Sequence, residues 1–152
     1  MSDTPPKSLP AKNQLTDHVI IAGYGIVGRC VAETLAKRKV PFCIVELNPA
    51  TVNRLEYSAV QIILGDIRDE SILHQAGIST AKAIALAMPD EKQSLEALKI
   101  VRNIRPEIPC IVRVVFTSAG IQTQQLNATP VVAEQVVARE FSAILAKTVL
   151  RE

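Results

Sequence analysis

The stretch from His18 to Gly28, HVIIAGYGIVG, restricts what this chain can fold into more than any other. Val19, Ile20 and Ile21 form a β-branched apolar run of the kind buried on both faces of a parallel sheet. The run passes directly into Gly23-Tyr24-Gly25-Ile26-Val27-Gly28, and from Arg29 to Lys39 the pattern becomes amphipathic and helical. Strand, G-x-G-x-x-G and helix in succession is the context in which those glycines have a physical meaning. Gly23 permits the tight turn, Gly25 leaves room for a pyrophosphate against the backbone, and Gly28 lets the helix pack close to the strand. The helix N-terminus adds unpaired N–H groups and partial positive charge. A second strand, Pro41 to Glu46, ends in an acid. Dinucleotide-binding units carry such an acid roughly 20 residues past the motif. A carboxylate there accepts from ribose hydroxyls and repels a 2′-phosphate, so an adenine nucleotide is the expected ligand.

The alternation continues along the chain. Asn48-Pro49 opens a short helix through about Tyr57, with Pro49 in its first turn. Val60 to Leu64 reads as a third strand, and Asp69 to Ala76 as a short helix closed by Gly77. Ala83 to Ala87 is a fourth strand that runs into Met88-Pro89-Asp90, followed by a helix from Asp90 to Arg105 that Pro106 halts. Pro109 to Val115, Ser118 to Leu126 and Pro130 to Val132 read as strand, helix and strand. A last helix, Glu134 to Leu150, places Val137, Phe141, Ile144, Leu145 and Thr148 on one face, and amphipathicity does not say whose sheet that face covers. Strand and helix alternate throughout, which predicts an α/β doubly wound Rossmann fold. Its six-stranded parallel sheet has the order 3-2-1-4-5-6 with helices on both faces. The domain spans residues 18–150. Residues 1–17, with three prolines, read as a flexible N-terminal linker to something upstream.

Hydrophobic residues make up 48% of the chain and aromatic residues 3%, so the core is aliphatic and base-stacking platforms are not expected. A net charge of +2 gives no electrostatic footprint for nucleic acid either. Cys30, Cys43 and Cys110 form no C-x-x-C pair, so three packed, reduced thiols are expected rather than a zinc site. No apolar run approaches the ~20 residues that span a bilayer. Met1 to Asp17 does not read as a signal peptide.

Ligands of such sheets lie beyond the carboxyl ends of the strands. The candidate cofactor-binding residues are therefore Gly23, Tyr24, Gly25, Ile26, Val27 and Gly28 after the first strand. Glu46, Leu47 and Asn48 follow the second, Gly65, Asp66 and Ile67 the third, and Met88 the fourth. Asp66 has two readings, an acceptor for an adenine amino group or a cap for the helix at Asp69, and spacing leaves both open. Asp90 is expected to cap its helix. A nicotinamide-dependent oxidoreductase would share the glycines and Glu46, but it also needs a general acid or base at the reacting carbon. His18 starts the first strand, away from the crevice, and His74 is expected to be solvated on a short helix. No G-x-S-x-G elbow or H-E-x-x-H is present, and no substrate domain follows the sixth strand in this sequence. A binding module is expected rather than an enzyme. A degenerate dimerisation domain with an empty site would not need Gly23, Gly25, Gly28 and Glu46 together.

Taken in order, Gly23-Tyr24-Gly25-Ile26-Val27-Gly28, Ile44-Val45-Glu46-Leu47-Asn48-Pro49, Ile63-Leu64-Gly65-Asp66 and Ala76-Gly77-Ile78 form one series. With Ala85-Leu86-Ala87-Met88-Pro89-Asp90 and Ile111-Val112-Arg113-Val114, it resembles the TrkA-N or RCK N-terminal domain, over residues 17–146. The resemblance implies a cytosolic regulatory domain, at the inner face of the membrane, of a potassium channel, a transporter or a cation/proton antiporter. It implies binding of NAD(H), AMP, ADP or ATP without turnover, with Glu46 on the ribose and Asp66 near the adenine. Many members carry an arginine where this chain has Ile26, which favours NAD(H) or AMP over ATP. The resemblance also implies a homodimer, or a ring of dimers, in which the helix matching Glu134 to Leu150 crosses to the partner. In some members a glutamate matching Glu134 approaches a divalent cation; no other metal ligand is expected.

Overall fold

The computed structural model describes residues 15–54 and 60–149. Six parallel strands form one sheet in the order β3-β2-β1-β4-β5-β6, as expected. The strands are β1 (Val19–Ala22), β2 (Phe42–Glu46), β3 (Gln61–Leu64), β4 (Ala83–Leu86), β5 (Cys110–Val114) and β6 (Thr129–Val132). The helices are α1 (Ile26–Lys37), α2 (Pro49–Val52), α3 (Glu70–Gln75), α4 (Glu91–Ile104), α5 (Thr117–Gln125) and α6 (Ala133–Val149). The first helix thus begins three residues earlier than its amphipathic pattern indicated, inside the glycine motif. The expected extension of the second helix to Tyr57 falls partly outside the described residues, as do residues 1–14 of the expected linker. The remaining linker residues are tied down: Asp17 N donates to Thr80 O at 3.0 Å, and Thr80 Oγ1 donates to Leu15 O at 2.8 Å.

Side chains alternate across the sheet with period two. Ile20, Ala22, Cys43, Val45, Ile84, Leu86, Val112 and Val114 face α3, α4 and α5, forming the larger core with Leu73, Leu98 and Val101. Val19, Ile21 and Ile44 face α1 and pack with Ala32 in a smaller cluster. That second face is covered over β1 and β2 but open over β5 and β6, where Ile111 and Val131 are exposed. The last helix does not close it: no residue of α6 is buried, and Phe141 is 71% exposed.

Two of the three cysteines are packed as expected, and Cys30 is not. Cys43 and Cys110 are buried, and burial pushes both thiols up, Cys43 to about 12. Cys30 is exposed, because it lies on the outer side of α1 rather than on the side carrying Gly28 and Ala32.

Candidate nucleotide site

Strand order reverses between β1 and β4, since the chain winds outward to β3 on one side and to β6 on the other. The loops that leave the carboxyl ends there splay apart and open a crevice. A cleft of about 420 Å³ lies at that point. Gly23, Tyr24 and Gly25 form one wall, Glu46, Leu47 and Asn48 another, and Gly65, Asp66, Ile67 and Met88 complete most of the lining. Ten of the thirteen candidate residues therefore meet in one place. The other three do not line it. Ile26 is 79% exposed at the start of α1, Val27 faces the open sheet surface over β4, and Gly28 lies beneath the turn.

The glycines divide the work. Gly23 has φ +89°, which an L side chain rarely adopts, and it turns the chain out of β1. A Cβ on Gly28 would overlap the carbonyl oxygen of Gly23, so α1 sits directly on the turn. A Cβ on Gly25 would meet nothing within 4 Å, so that position opens into space.

The N-terminus of α1 differs from those of the next three helices. Asn48 caps α2 by accepting from Ala50 N at 2.9 Å, Asp69 caps α3 from Ser71 N at 2.8 Å, and Asp90 caps α4 from Gln93 N at 3.1 Å. No side chain caps α1, and no acid lies in its first turn. Its leading amides and the positive end of its dipole therefore stay available for an anion.

Glu46 joins two loops across the cleft. Its Oε2 accepts from Tyr24 N at 2.8 Å and its Oε1 from Asn48 N at 2.9 Å. An ionised carboxylate has about four lone-pair sites, so roughly half its capacity remains for hydroxyl donors. Asp66 does not cap the following helix; Asp69 does. Asp66 instead accepts from Arg68, whose side-chain hydrogen bonds hold its carboxyl below the ordinary carboxylate range. Asp90 caps as expected and also borders the cleft. Thr51 and Gln93, which the sequence did not single out, line it too. Gln93 had a legible signal, since Asp90-x-x-Gln93 is a capping-box spacing.

Neither histidine is near. His18 is buried, with Nε2 at 2.7 Å from Ala76 O, and His74 is exposed on α3. Glu134 is exposed in the first turn of α6, and among the described residues no three His, Cys, Asp or Glu side chains gather as metal donors.

A family profile, the TrkA-N domain, matches residues 19–134. The chain belongs to the TrkA-N family. It is 32% identical over 124 residues to a putative K(+) efflux antiporter, KefB, of Alkalimonas amylolytica, covering 82% of this chain and 19% of that protein. It spans 25% of YbaL, a putative cation/proton antiporter of Escherichia coli, at 26% identity over 140 residues that make up 91% of this chain. The chain thus covers a quarter or less of the length of these relatives. The crystal structure of the TrkA-N domain of E. coli inner membrane protein ybaL superposes with a TM-score of 0.82 at 25% identity, covering 88% of this chain and 99% of that one. The AMP-bound Kef CTD of Shewanella denitrificans shares the fold, with a TM-score of 0.69 at 21% identity, covering 84% of this chain and 79% of that one. Among the described residues of this TrkA-N domain, no helix is long and apolar enough to cross a membrane.

Proposed function

We propose that this TrkA-N domain binds an adenine nucleotide in the cleft, without chemical turnover, and that occupancy regulates ion flux through a linked potassium channel, transporter or antiporter. The observation that carries this reading is the uncapped α1 N-terminus opening beside Gly25 into a cleft that Glu46 closes. Phosphate takes the helix amides, the ribose hydroxyls donate to Glu46, and the base reaches Asp66. AMP bound to the Kef CTD, a relative in fold, is in keeping with this.

Among the described residues, the cleft lining carries three carboxylates, those of Glu46, Asp66 and Asp90, and no cationic side chain. A triphosphate meets more repulsion there than a monophosphate or the diester-like pyrophosphate of NAD(H), so AMP and NAD(H) are favoured over ATP. No His, Cys or Lys among the described residues lines the cleft, which supports a sensor rather than an oxidoreductase. For occupancy to gate flux, the nucleotide must bind one arrangement of the assembly more tightly than another.

The assembly we infer is a homodimer, or a ring of dimers, on the cytoplasmic side of the membrane. Val137, Phe141, Ile144 and Leu145 of α6 are all more than half exposed. The partly uncovered sheet face presents Ile111 and Val131 beside Val27 and Val31, with Val136 and Val137 of α6 at its rim. An apolar helix face left exposed along most of its length and an apolar sheet face that this helix only borders are complementary between two copies. Light scattering of Phe141→Asp should then show a monomer, with secondary structure unchanged; an unaltered dimer would refute the crossing helix.

The site itself is tested by a thermal-shift panel of AMP, ADP, ATP, NAD and NADH, with and without magnesium. A ligand at a hundred times its Kd stabilises by about 2.7 kcal/mol. Stabilisation led by AMP or NAD(H) is expected; a flat response from all five in folded protein would refute nucleotide sensing.

A further inference from the structure

Among the three cleft carboxylates, Asp66 is the most heavily engaged: it accepts from three N–H donors, whereas Glu46 and Asp90 accept from two each. A carboxylate offers about four lone-pair sites. Arg68 supplies three N–H donors: its backbone N reaches Oδ1 at 2.9 Å, its Nη2 reaches Oδ2 at 2.7 Å, and its single Nε–H is shared between Oδ1 at 3.0 Å and Oδ2 at 3.2 Å. An amino group on a base therefore competes with the guanidinium for most of the acceptor capacity of Asp66. The guanidinium has another place to go, because Nη1 already donates to Glu96 Oε2 on α4 at 2.8 Å. Asp66 and Arg68 are each about one-third exposed and Glu96 slightly more, so the exchange strands no charge in a dry interior. An open depression bordered by Arg68, Asp69, Glu96 and Lys99 gives the side chain room to move.

We propose that Arg68 is a latch on the base end of the cleft: it competes with the nucleotide base for Asp66 and passes to Glu96 when the base binds. The proposal rests on the adenine-nucleotide reading above and adds how that site sets its affinity and its choice of base. A 6-amino purine donates to Asp66 and displaces the latch. A 6-oxo purine offers an acceptor to the same carboxylate and does not. Arg68 acts here as a positioning residue, since its effect on the ligand runs through Asp66. The transfer also ties base occupancy to α4, whose Asp90 and Gln93 border the same cleft.

The latch predicts variants of opposite sign, which a merely structural arginine would not produce. Calorimetric titration of the full chain with AMP and with IMP, for wild type, Arg68→Ala, Glu96→Gln and the double variant, tests it. Freeing Asp66 by Arg68→Ala should tighten AMP binding about threefold, the scale of an exposed ion pair, and leave IMP no tighter. Removing the alternative anchor by Glu96→Gln should weaken AMP about twofold and do nothing once Arg68 is gone. Weaker AMP binding in Arg68→Ala would overturn the latch and make Arg68 a direct ligand contact, as would an effect of Glu96→Gln that persists without Arg68. Wild type that binds AMP no better than Gly25→Asp would remove the site itself, and the latch with it.

Discussion

The two ends of this sheet solve the same problem in opposite ways. Helix termini leave unsatisfied groups, carbonyls at the C-terminal end and amides at the N-terminal end. At the end where the strands begin, the chain satisfies the carbonyls itself. Arg102 donates through Nε to Leu126 O at 2.7 Å, through Nη1 to Ile108 O at 2.8 Å and through Nη2 to Asn127 O at 2.7 Å. Arg105 Nη1 reaches Ile78 O at 2.7 Å and Ser79 O at 2.8 Å. At the end where the strands finish, Asn48, Asp69 and Asp90 cap three helices, and Glu91 accepts from Val115 N and Phe116 N ahead of α5. Helices α1 and α5 both start without a side-chain cap, and of the two it is α1, through Gly25, that borders the cleft. Where the chain supplies a partner the result is stability; where it withholds one beside the cleft, the result is a place for a ligand.

Variants at the two ends should therefore separate stability from binding. The largest effect is expected from Gly25→Asp. Gly25 has φ −76° and open space beside it, so an aspartate fits, and at the N-cap position it supplies the missing acceptor. Nucleotide affinity should fall about 100-fold or more, on the order of 3 kcal/mol, while the melting temperature holds or rises slightly. Retained affinity would mean that the phosphate does not use α1. At the closed end, Arg102→Ala should lose about 2–3 kcal/mol of stability in urea melts, since it abandons carbonyls that had a charged donor, with nucleotide affinity unchanged. A drop in affinity there would break the division between the ends.

Glu46→Ala tests a residue that serves both purposes. It should weaken AMP and NAD by about 1–3 kcal/mol, and it should also cost a little stability, because Tyr24 N and Asn48 N lose their acceptor. Titration without change would exclude Glu46 from the ribose. The smallest effect concerns pH. Asp66 has a lowered pKa in the folded chain, through Arg68. Its stabilising contribution is therefore present above the ordinary carboxylate pKa and is lost as pH falls through the lowered value. Both side chains of the pair are about one-third exposed, so solvent screening keeps the contribution small. Asp66→Asn should slightly flatten the acid limb of a stability-versus-pH curve, and an unchanged limb would show that the Arg68 contact contributes nothing to folding.

Much of this was legible in the chain because it is local. Val19 to Ala22 followed by Gly23, Gly25 and Gly28 can hardly be anything but strand, turn and helix, and Asp90 capped where its spacing placed it. Pro106 and Gly77 marked helix ends through backbone chemistry that needs no tertiary context. Sheet order followed from the alternation, since right-handed crossovers leave few alternatives. The cleft was legible to the extent that its lining comes from strand ends.

What the sequence determined by itself is thus the sheet, its order and the loops that meet at its carboxyl edge, because period, breaker and cap are read within a few residues. Tertiary structure decided the rest, because it depends on which distant groups become neighbours. Nothing in the sequence marked Arg102 and Arg105 as donors to distant carbonyls until the fold brought carbonyls from two other loops to them. Asp66 was left between a base acceptor and a cap, and it became the partner of Arg68 because Asp69 stood nearer the helix amides. Cys30 was expected inside and turned outward, because a single residue on an amphipathic helix is placed by which face the sheet claims. For α6 the apolar stripe was plain, yet its exposure appeared only when the helix left its own sheet, since amphipathicity records that a face is to be covered and not by what.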